Sequence, residues 1–281
     1  MKRILQRLAN QLGYHILPID KDPIQKNLIE AYRKLRFVSS DDKDRSLPIA
    51  KIAFAEHLRQ ILRYHKINAV MDIGANTGQF GILLRNIGYR GLILSFEPLS
   101  KVRKKLQSTA MLHEPWRVFP YALGSSKGEK LVQVFGDHTF SSMYNINSKG
   151  KKIFGALLRA TGEEKALVRT LDNLASEMGL ISNNDGLMVK TDTQGHDLQV
   201  LKGGLQTLSK ARVVLTEAIA EPIYDQVPRF PEIVEFLEKH GFAPSGFYPI
   251  SHRPENLAMI EFDAVFVKRS KSTQKKRTVK T

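Results

Sequence analysis

Residues 70–81, VMDIGANTGQFG, gather an acid, three glycines and an asparagine into one short segment that could hold a ligand. Gly74 stands where a strand would turn and Gly78 where a helix would open, so the main chain there can approach a ligand without an intervening Cβ. Asn76 occupies the position at which a dinucleotide-binding loop needs glycine, and no Gly-Lys-Ser/Thr ending makes the segment a P-loop. Asp72, just before the turn, would repel a diphosphate and attract a cationic amine.

A second acid, Glu97, stands nineteen residues after Gly78, at the end of the strand-like segment GLILSFEP. An acid at that place can accept hydrogen bonds from both vicinal hydroxyls of a ribose. A ligand with a nucleoside, a cationic amino group and no phosphate fits the two acids, and S-adenosylmethionine is such a ligand. Two alternatives stay open: the glycines serve only a tight turn and Glu97 is a surface acid, or the loop belongs to a nicotinamide-dependent enzyme.

Alternating helix-like and strand-like segments from about residue 49 position these residues, and they predict an α/β domain with a parallel sheet covered by helices. Helices are predicted within 49–66, 78–89, 99–109, 197–210 and 231–241. Strands are predicted within 68–74, 91–98, 116–124, 186–192, 211–219, 242–250 and 257–268. Between residues 127 and 170, the short β-like pieces EKLVQVF and ALVRTLD predict a β-hairpin insertion beside the sheet.

The two ends of the chain differ in character from the domain at 49–268. Residues 1–48 are predicted to form a basic amphipathic helix and an arm, and the helix packs on its own domain or lies on an anionic membrane surface. Residues 269–281 are predicted to be a disordered basic tail. No window approaches a span of about eighteen uninterrupted apolar residues, and the N-terminus lacks the pattern of a signal peptide. The expected location is the cytoplasm, with possible peripheral contact with a membrane.

The net charge of +15 raises the question of a nucleic-acid partner. Seven of the basic residues lie in the last fourteen positions, which leaves +8 for the rest of the chain. A basic run of this kind is usually a solvated end, and contact with RNA or an anionic membrane is the alternative. Cysteine is absent, which excludes disulfides, thiolate metal sites and cysteine nucleophiles.

Several separate segments, in order, resemble the FkbM family of S-adenosylmethionine-dependent methyltransferases. They span roughly residues 50–268 and read MDIGANTGQFG, SFEP, YALG, TFSSMYN, RTLDNL, VKTDTQGHDLQVLKGG, VLTEA with PIYDQV, and HGF. The resemblance implies a class I methyltransferase fold, which is Rossmann-like. Its seven-stranded, mostly parallel sheet contains one antiparallel strand and has helices on both faces. The resemblance also implies O-methylation of a hydroxyl on a sugar, polysaccharide or natural-product intermediate.

The predicted cofactor is S-adenosylmethionine, and its site combines the glycine loop, the end of the second strand and the exit of the third. By the resemblance, the main chain of Tyr121 and Ala122 lies near the adenine. The predicted site comprises Asp72, Gly74, Ala75, Asn76, Gly78, Glu97, Pro98, Tyr121 and Ala122.

Methyl transfer to oxygen needs an aligned acceptor and a base for the hydroxyl proton. The loop after VKTD follows the carboxyl end of its strand, the edge at which open α/β sheets bind ligands. Asp192 is the predicted general base or orients the hydroxyl, and His196, with an ordinary pKa near ~6.5, could share that work. Alternatively, Asp192 contacts only the amino group of the cofactor, and His196 is structural or positions the substrate.

The predicted partner is a hydroxyl-bearing acceptor, a glycan or a small molecule. Gln194 and Glu217 at the same edge, with Ser141 and Ser142 in the polar insertion, are predicted to bind it. No metal is predicted, although hard oxygen ligands of the kind that bind magnesium or calcium occur at Asp192, Gln194, Asp197 and Glu217. Two further functions stay open: an RNA-modifying methyltransferase that uses the basic tail, and a non-catalytic binding protein of the same fold.

Overall fold

The computed structural model describes residues 46–136, 141–144, 146–155, 160–183, 186–253 and 255–270. The helices are α1 Ser46–Tyr64, α2 Gln79–Asn86, α3 Ser100–Met111, α4 Ser148–Phe154, α5 Leu171–Glu177, α6 Leu180–Asn183, α7 Asp197–Lys202, α8 Leu205–Lys210 and α9 Phe230–Lys239. The strands are β1 Ala69–Ile73, β2 Leu92–Phe96, β3 Trp116–Phe119, β4 Ala122–Leu123, β5 Gly128–Phe135, β6 Ala160–Arg169, β7 Leu187–Thr191, β8 Ala211–Ile219, β9 Phe242–His252 and β10 Met259–Lys268.

Seven strands form the main sheet, in the order β3-β2-β1-β7-β8-β10-β9. Five of them, β3, β2, β1, β7 and β8, pair in parallel, whereas β10 inserts antiparallel between β8 and β9. Every residue of β1 and of β7 is buried, as expected for parallel strands covered on both faces. This strand order, with its single antiparallel strand, confirms the predicted class I methyltransferase fold.

Helices cover both faces of the sheet and create two hydrophobic layers. Val70 packs in one layer with side chains from α1, α2 and α3, and its neighbour Met71 packs in the other with side chains from α5, α8 and α9. Consecutive strand residues point to opposite faces, so each strand contributes to both layers. The buried sheet therefore forms a rigid frame whose carboxyl-terminal edge carries the predicted site residues.

The predicted insertion forms a second, three-stranded sheet of order β4-β6-β5. β5 pairs antiparallel with β6, which confirms the predicted pairing of these two segments, but α4 lies between them where a hairpin would have a short turn. β6 begins at Ala160, before the predicted piece ALVRTLD. It also ends earlier than predicted, because Thr170 accepts a hydrogen bond from the Asn173 N–H and caps the start of α5.

The helix predicted over 197–210 is two helices, α7 and α8, separated by Gly203 and Gly204. A Cβ on Gly203 would lie 2.1 Å from the carbonyl oxygen of Gly124, and one on Gly204 would lie 2.5 Å from a methyl group of Leu171. The chain bends here because two other segments pack directly against its backbone. The helices α4, α5 and α6 were not predicted at all.

Helix α1 begins three residues before the predicted domain boundary at residue 49. The predicted N-terminal amphipathic helix, nearly all of the predicted arm and the tail beyond residue 270 lie outside the described residues. Within the part of the chain that the structure describes, no helix is both long enough and apolar enough to cross a membrane.

Candidate active site

A cavity of about 620 Å³ opens along the carboxyl ends of β1, β2, β7 and β8. Its volume lies in the range of pockets that bind small molecules and cofactors. The structure brings most of the predicted site residues together in its wall. Those that line it are Gly74, Ala75, Asn76, Glu97, Pro98, Tyr121, Ala122, Ser141, Ser142, Asp192, Gln194, His196 and Glu217. Asp72 and Gly78 do not line it.

The two glycines of the loop have different roles. Gly74 has a φ of +75°, and a Cβ there would lie 1.8 Å from the carbonyl oxygen of Asp192, so glycine is needed for the loops after β1 and β7 to meet. Gly78 has a φ of +99° and packs against the Trp116 indole, 3.1 Å from the position that a Cβ would take. Gly78 therefore permits close packing of α2 on the sheet rather than close approach to a ligand.

Glu97 lies at the cavity wall, and each of its carboxylate oxygens accepts one hydrogen bond. The backbone N–H of Asn76 donates to Oε2 at 3.0 Å, and that of Leu99 donates to Oε1 at 2.9 Å. A carboxylate has about four lone-pair sites, so both oxygens can accept one more hydrogen bond each. Burial raises the pKa of Glu97 to about 7, against the opposing effect of the two N–H donors. The geometry suits a pair of neighbouring hydroxyls.

Asp72 is fully buried, does not line the cavity and belongs to a polar network with Lys190 and Ser95. Its Oδ1 lies 3.1 Å from Nζ of Lys190, and its Oδ2 accepts a hydrogen bond from the Ser95 hydroxyl at 3.0 Å. The Trp116 indole N–H in turn donates to the Ser95 oxygen at 2.9 Å. The reason for assigning Asp72 to a ligand ammonium was its free negative charge, and that charge is engaged by Lys190.

Lys190 connects Asp72 to the cavity. Its Nζ also lies 3.3 Å from Oδ2 of Asp192, whose side chain is 38% exposed and lines the cavity. Burial alone would lower the pKa of the Lys190 ammonium, but the carboxylates of Asp192 and Asp72 outweigh it and raise that pKa above its ordinary value. The lysine is therefore a permanent cation that fixes the position of the Asp192 carboxylate.

His196 lines the cavity but is poorly suited to take a proton. The residue is 4% exposed, and its Nδ1 lies 3.3 Å from the hydroxyl of Tyr144. Burial, with a smaller effect of Lys130, lowers its pKa to about 4. At neutral pH the imidazole is therefore uncharged. The Asp192 side chain is 38% exposed whereas His196 is buried, so Asp192 is better placed to meet a hydroxyl in the cavity, and His196 suits a positioning role.

Gln194 connects several groups in the cavity wall. Its side-chain amide donates to Oε2 of Glu217 at 2.7 Å, and its amide oxygen accepts from the Tyr224 hydroxyl at 2.9 Å. The Ser142 hydroxyl donates to the backbone oxygen of Gln194 at 2.8 Å, so Ser142 holds the loop. The neighbouring Ser141 hydroxyl lines the same cavity and has no hydrogen-bond partner among the described residues.

The set considered as divalent-metal ligands does not converge. The amide nitrogen of Gln194, and not its oxygen, faces Glu217. The Asp197 carboxylate accepts the backbone N–H of Thr193 at 3.2 Å and is buried at the start of α7. Within the described ranges, no three His, Cys, Asp or Glu side chains are grouped so that they could hold a metal ion.

The sequence analysis missed the contribution of the last two strands and of α1. Glu261 and Asp263 of β10, Tyr248 of β9 and Lys51 of α1 all line the cavity. The Tyr248 hydroxyl lies 2.6 Å from Nδ1 of His57, which attaches β9 to α1 beside the site. A signal was present in β10, where the acids of IEFDAV alternate within an apolar strand and indicate one polar face.

Comparison with known proteins identifies relatives. Residues 72–244 match the sequence profile of the methyltransferase FkbM domain. The AMB antimetabolite synthetase AmbE of Pseudomonas aeruginosa is 25% identical over 204 residues, which are 63% of this chain and 10% of that protein. The 2-O-methyltransferase NoeI of Sinorhizobium fredii is 23% identical over 165 residues, 57% of this chain and 67% of that protein. The chain thus spans about a tenth of the length of the synthetase.

Solved structures with a similar fold include two methyltransferases. The magnesium protoporphyrin IX methyltransferase ChlM of Synechocystis PCC 6803 is 12% identical, with a TM-score of 0.39 over 90% of this chain and 99% of that one. A rRNA methylase of Streptococcus thermophilus is 10% identical, with a TM-score of 0.42 over 79% of this chain and 97% of that one.

Proposed function

Because this chain belongs to the FkbM methyltransferase family, we propose that it transfers the methyl group of S-adenosylmethionine to a hydroxyl of a sugar, polysaccharide or natural-product intermediate. One observation carries the proposal: a single cavity joins Glu97, which can accept two hydroxyls, to Asp192, an oriented carboxylate. The first group suits the nucleoside of the cofactor and the second suits the proton of an acceptor.

The residues present fit S-adenosylmethionine better than a diphosphate cofactor. Glu97 keeps acceptor capacity for both ribose hydroxyls, and Ala75, Pro98 and Tyr121 provide mostly apolar walls beside it. Two lysines are among the described lining residues, and one of them, Lys190, is already engaged by two carboxylates. A diphosphate would therefore meet few free cations. When bound, the cofactor supplies an electrophilic methyl group on its sulfonium.

Asp192 is the residue that we propose takes the hydroxyl proton. Its carboxylate is open to the cavity on one side and faces the Lys190 ammonium on the other, which holds it in place. A base positioned within hydrogen-bond reach of a reacting hydroxyl contributes a factor of about 10² to 10⁴ in rate. The contact of His196 with the Tyr144 hydroxyl helps to hold the loop that carries Asp192.

Two observations support oxygen as the methylated atom. The relative NoeI is named a 2-O-methyltransferase. In addition, Glu217 lines the same cavity as Asp192, and its carboxylate has lone pairs that can accept hydrogen bonds from the hydroxyls of a polyol.

Cofactor binding is tested first by thermal denaturation with S-adenosylmethionine, its demethylated product and NAD. We expect the two S-adenosyl compounds to raise the melting temperature and NAD to leave it unchanged. Glu97→Gln removes the charge that strengthens hydrogen bonds to the ribose, and we expect at least about tenfold weaker binding. Glu163→Gln, at an exposed acid of β6, is the matched control. Stabilisation by NAD alone would overturn the proposed cofactor.

Transfer is tested with labelled S-adenosylmethionine and fractionated cell extract. We expect label in a glycan or small-molecule fraction, as a methyl ether that resists mild acid and mild base. Asp192→Asn should lower turnover by a factor of about 10² to 10⁴ and leave the affinity for S-adenosylhomocysteine within about threefold of the wild type. Loss of cofactor affinity in proportion to turnover would assign Asp192 to the cofactor ammonium instead, and label in RNA would overturn the acceptor class.

A further inference from the structure

Three carboxyl groups lie on one face of the sheet at the acceptor end of the cavity. Asp263 of β10 is directly opposite Glu217 of β8 in the antiparallel register, and Glu261 is two residues away from Asp263 on the same strand. Residues at i and i+2 of a strand share a face, and so do directly opposite residues. All three line the cavity. The strands thus present an acidic patch, defined as Glu217, Glu261 and Asp263.

Unsatisfied polar atoms point to a ligand at this patch. Glu261 is 5% exposed, and its Oε2 accepts from the Ser251 hydroxyl at 3.2 Å, whereas its Oε1 is buried and has no hydrogen-bond partner among the described residues. The Ser141 hydroxyl, also in the cavity wall, is buried and unpartnered in the same way. A buried polar group is normally hydrogen-bonded, and leaving its hydrogen bond unmade costs free energy. A polar ligand at the patch would supply the missing partner of Glu261.

Among the residues that the structure describes, the carboxylates of the patch lack a nearby free cation, and this favours a positively charged ligand. The lysine nearest to it in the cavity wall, Lys190, is engaged by Asp72 and Asp192. Burial and the nearby Asp192 carboxylate raise the pKa values of Glu261 and Asp263 to about 7. A neutral acceptor leaves these groups without a counter-charge, whereas a cation would pair with them and favour their ionised form.

We infer that the acceptor carries a protonated amine beside the hydroxyl that is methylated, and that Glu261 and Asp263 bind this amine with Glu217 adjacent. The inference rests on the proposed function, because the acceptor is the molecule that receives the methyl group. An amine fits better than a metal ion, because within the described residues no acids are grouped as metal ligands are. The ammonium has three donors, and the patch offers the unpartnered Oε1 of Glu261 as an acceptor.

The test measures binding of small amino alcohols to protein saturated with S-adenosylhomocysteine, by titration calorimetry at neutral pH. The probes are glucosamine, galactosamine and ethanolamine, each compared with its N-acetylated form, which keeps the hydroxyls and lacks the charge. We expect at least one amine to bind about tenfold or more tightly than its acetylated form. Glu261→Gln and, separately, Asp263→Asn should reduce this preference to about threefold or less, and Glu163→Gln should retain it.

Saturation with S-adenosylhomocysteine is verified for every variant by its melting temperature, so a misfolded variant is recognised and the other one decides. If S-adenosylhomocysteine binds and no amine is preferred to its acetylated form, the inference is overturned and the proposed function stands. If S-adenosylhomocysteine does not bind at all, the proposed function is overturned. A preference that survives both substitutions would place the amine elsewhere and also overturn the inference.

Discussion

Replacing Lys190 by methionine removes the cation that lies between two carboxylates. Asp72 is 0% exposed, and its Oδ1 is 3.1 Å from the lysine Nζ. Methionine has a similar length and volume, so the substitution removes the charge with little change of shape. In Lys190→Met, the Asp72 carboxylate keeps the Ser95 hydroxyl as a donor and loses its counter-ion.

The expected loss of stability is large. Breaking a buried ion pair by removing one partner destabilises a protein by about 3–5 kcal/mol, because the other charge stays buried and uncompensated. For a domain of this size, 1 kcal/mol corresponds to about 2–4 °C, so the melting temperature should fall by about 6–20 °C. The double variant Asp72→Asn with Lys190→Met removes both charges and should recover most of the loss, to within about 1 kcal/mol of the wild type.

The assay is urea denaturation of the wild type, both single variants and the double variant. Binding of S-adenosylhomocysteine is then measured on each folded protein. The structure predicts that Asp72→Asn binds S-adenosylhomocysteine within about threefold of the wild type, because its carboxylate faces Lys190 and not the cavity. Two results would refute this reasoning: Lys190→Met with unchanged stability, or a folded Asp72→Asn protein that no longer binds the product.

Three other predictions follow from the geometry of the site. A positive φ strains an alanine by about 1–2 kcal/mol. In urea denaturation, Gly74→Ala should lose well over this amount of stability, because its Cβ would collide with the carbonyl of Asp192. Gly88→Ala, with φ +90° and open space around it, is the control and should lose only the amount due to strain. Cofactor affinity by calorimetry should rise with pH up to about 7 and then level off, because the carboxylate of Glu97 accepts the ribose hydroxyls only when ionised. Glu97→Gln should show no such rise, and a rise that persists would assign the titration to another group. Burial raises the folded-state pKa of Glu261 to about 7, so the wild type loses stability as pH rises from about 4.5 towards 7, and Glu261→Gln should be more stable than the wild type by about 1–3 kcal/mol at pH 8 and nearly equal to it at pH 4. Equal stability of the two proteins at pH 8 would contradict this.

The positions of Glu97 and Asp192 at the cavity were predictable because both residues follow strands directly. Glu97 comes immediately after β2 and Asp192 immediately after β7, and parallel strands bring their carboxyl ends to one edge. Residue type and local position were enough to place both. The class I fold was predictable for the same reason, together with the motifs that span most of the domain.

The direction of Asp72 could not be read from the sequence. Alternation of polar and apolar residues tells which face a strand residue occupies, but every residue of β1 is buried, so the pattern gives no such signal. Asp72 faces Lys190 across the sheet because the two are directly paired in register between β1 and β7. That pairing joins positions more than a hundred residues apart and is fixed by the fold rather than by either segment.

The acidic patch was hidden by topology. β10 follows β9 in the chain but lies between β8 and β9 in the sheet, which places Asp263 opposite Glu217. If strands took the same order in the sheet as in the chain, β10 would lie at the edge of the sheet, away from the cavity. The break between α7 and α8 has a similar origin, because the contact of Gly203 with Gly124 is long-range and the local sequence favours one continuous helix.

Lys190 in β7 and Asp192, directly after the strand, lie on one side of the sheet, and Thr191 between them points to the other, where its hydroxyl donates to Thr216. One lysine thus neutralises the buried Asp72 and orients the cavity carboxylate of Asp192. These two roles separate in the double variant of Asp72 and Lys190. That protein regains stability because no buried charge is left unpaired, but Asp192 still lacks its cation, so we expect methyl transfer to stay low. Stability and turnover that recover together would mean that Lys190 acts on the fold alone.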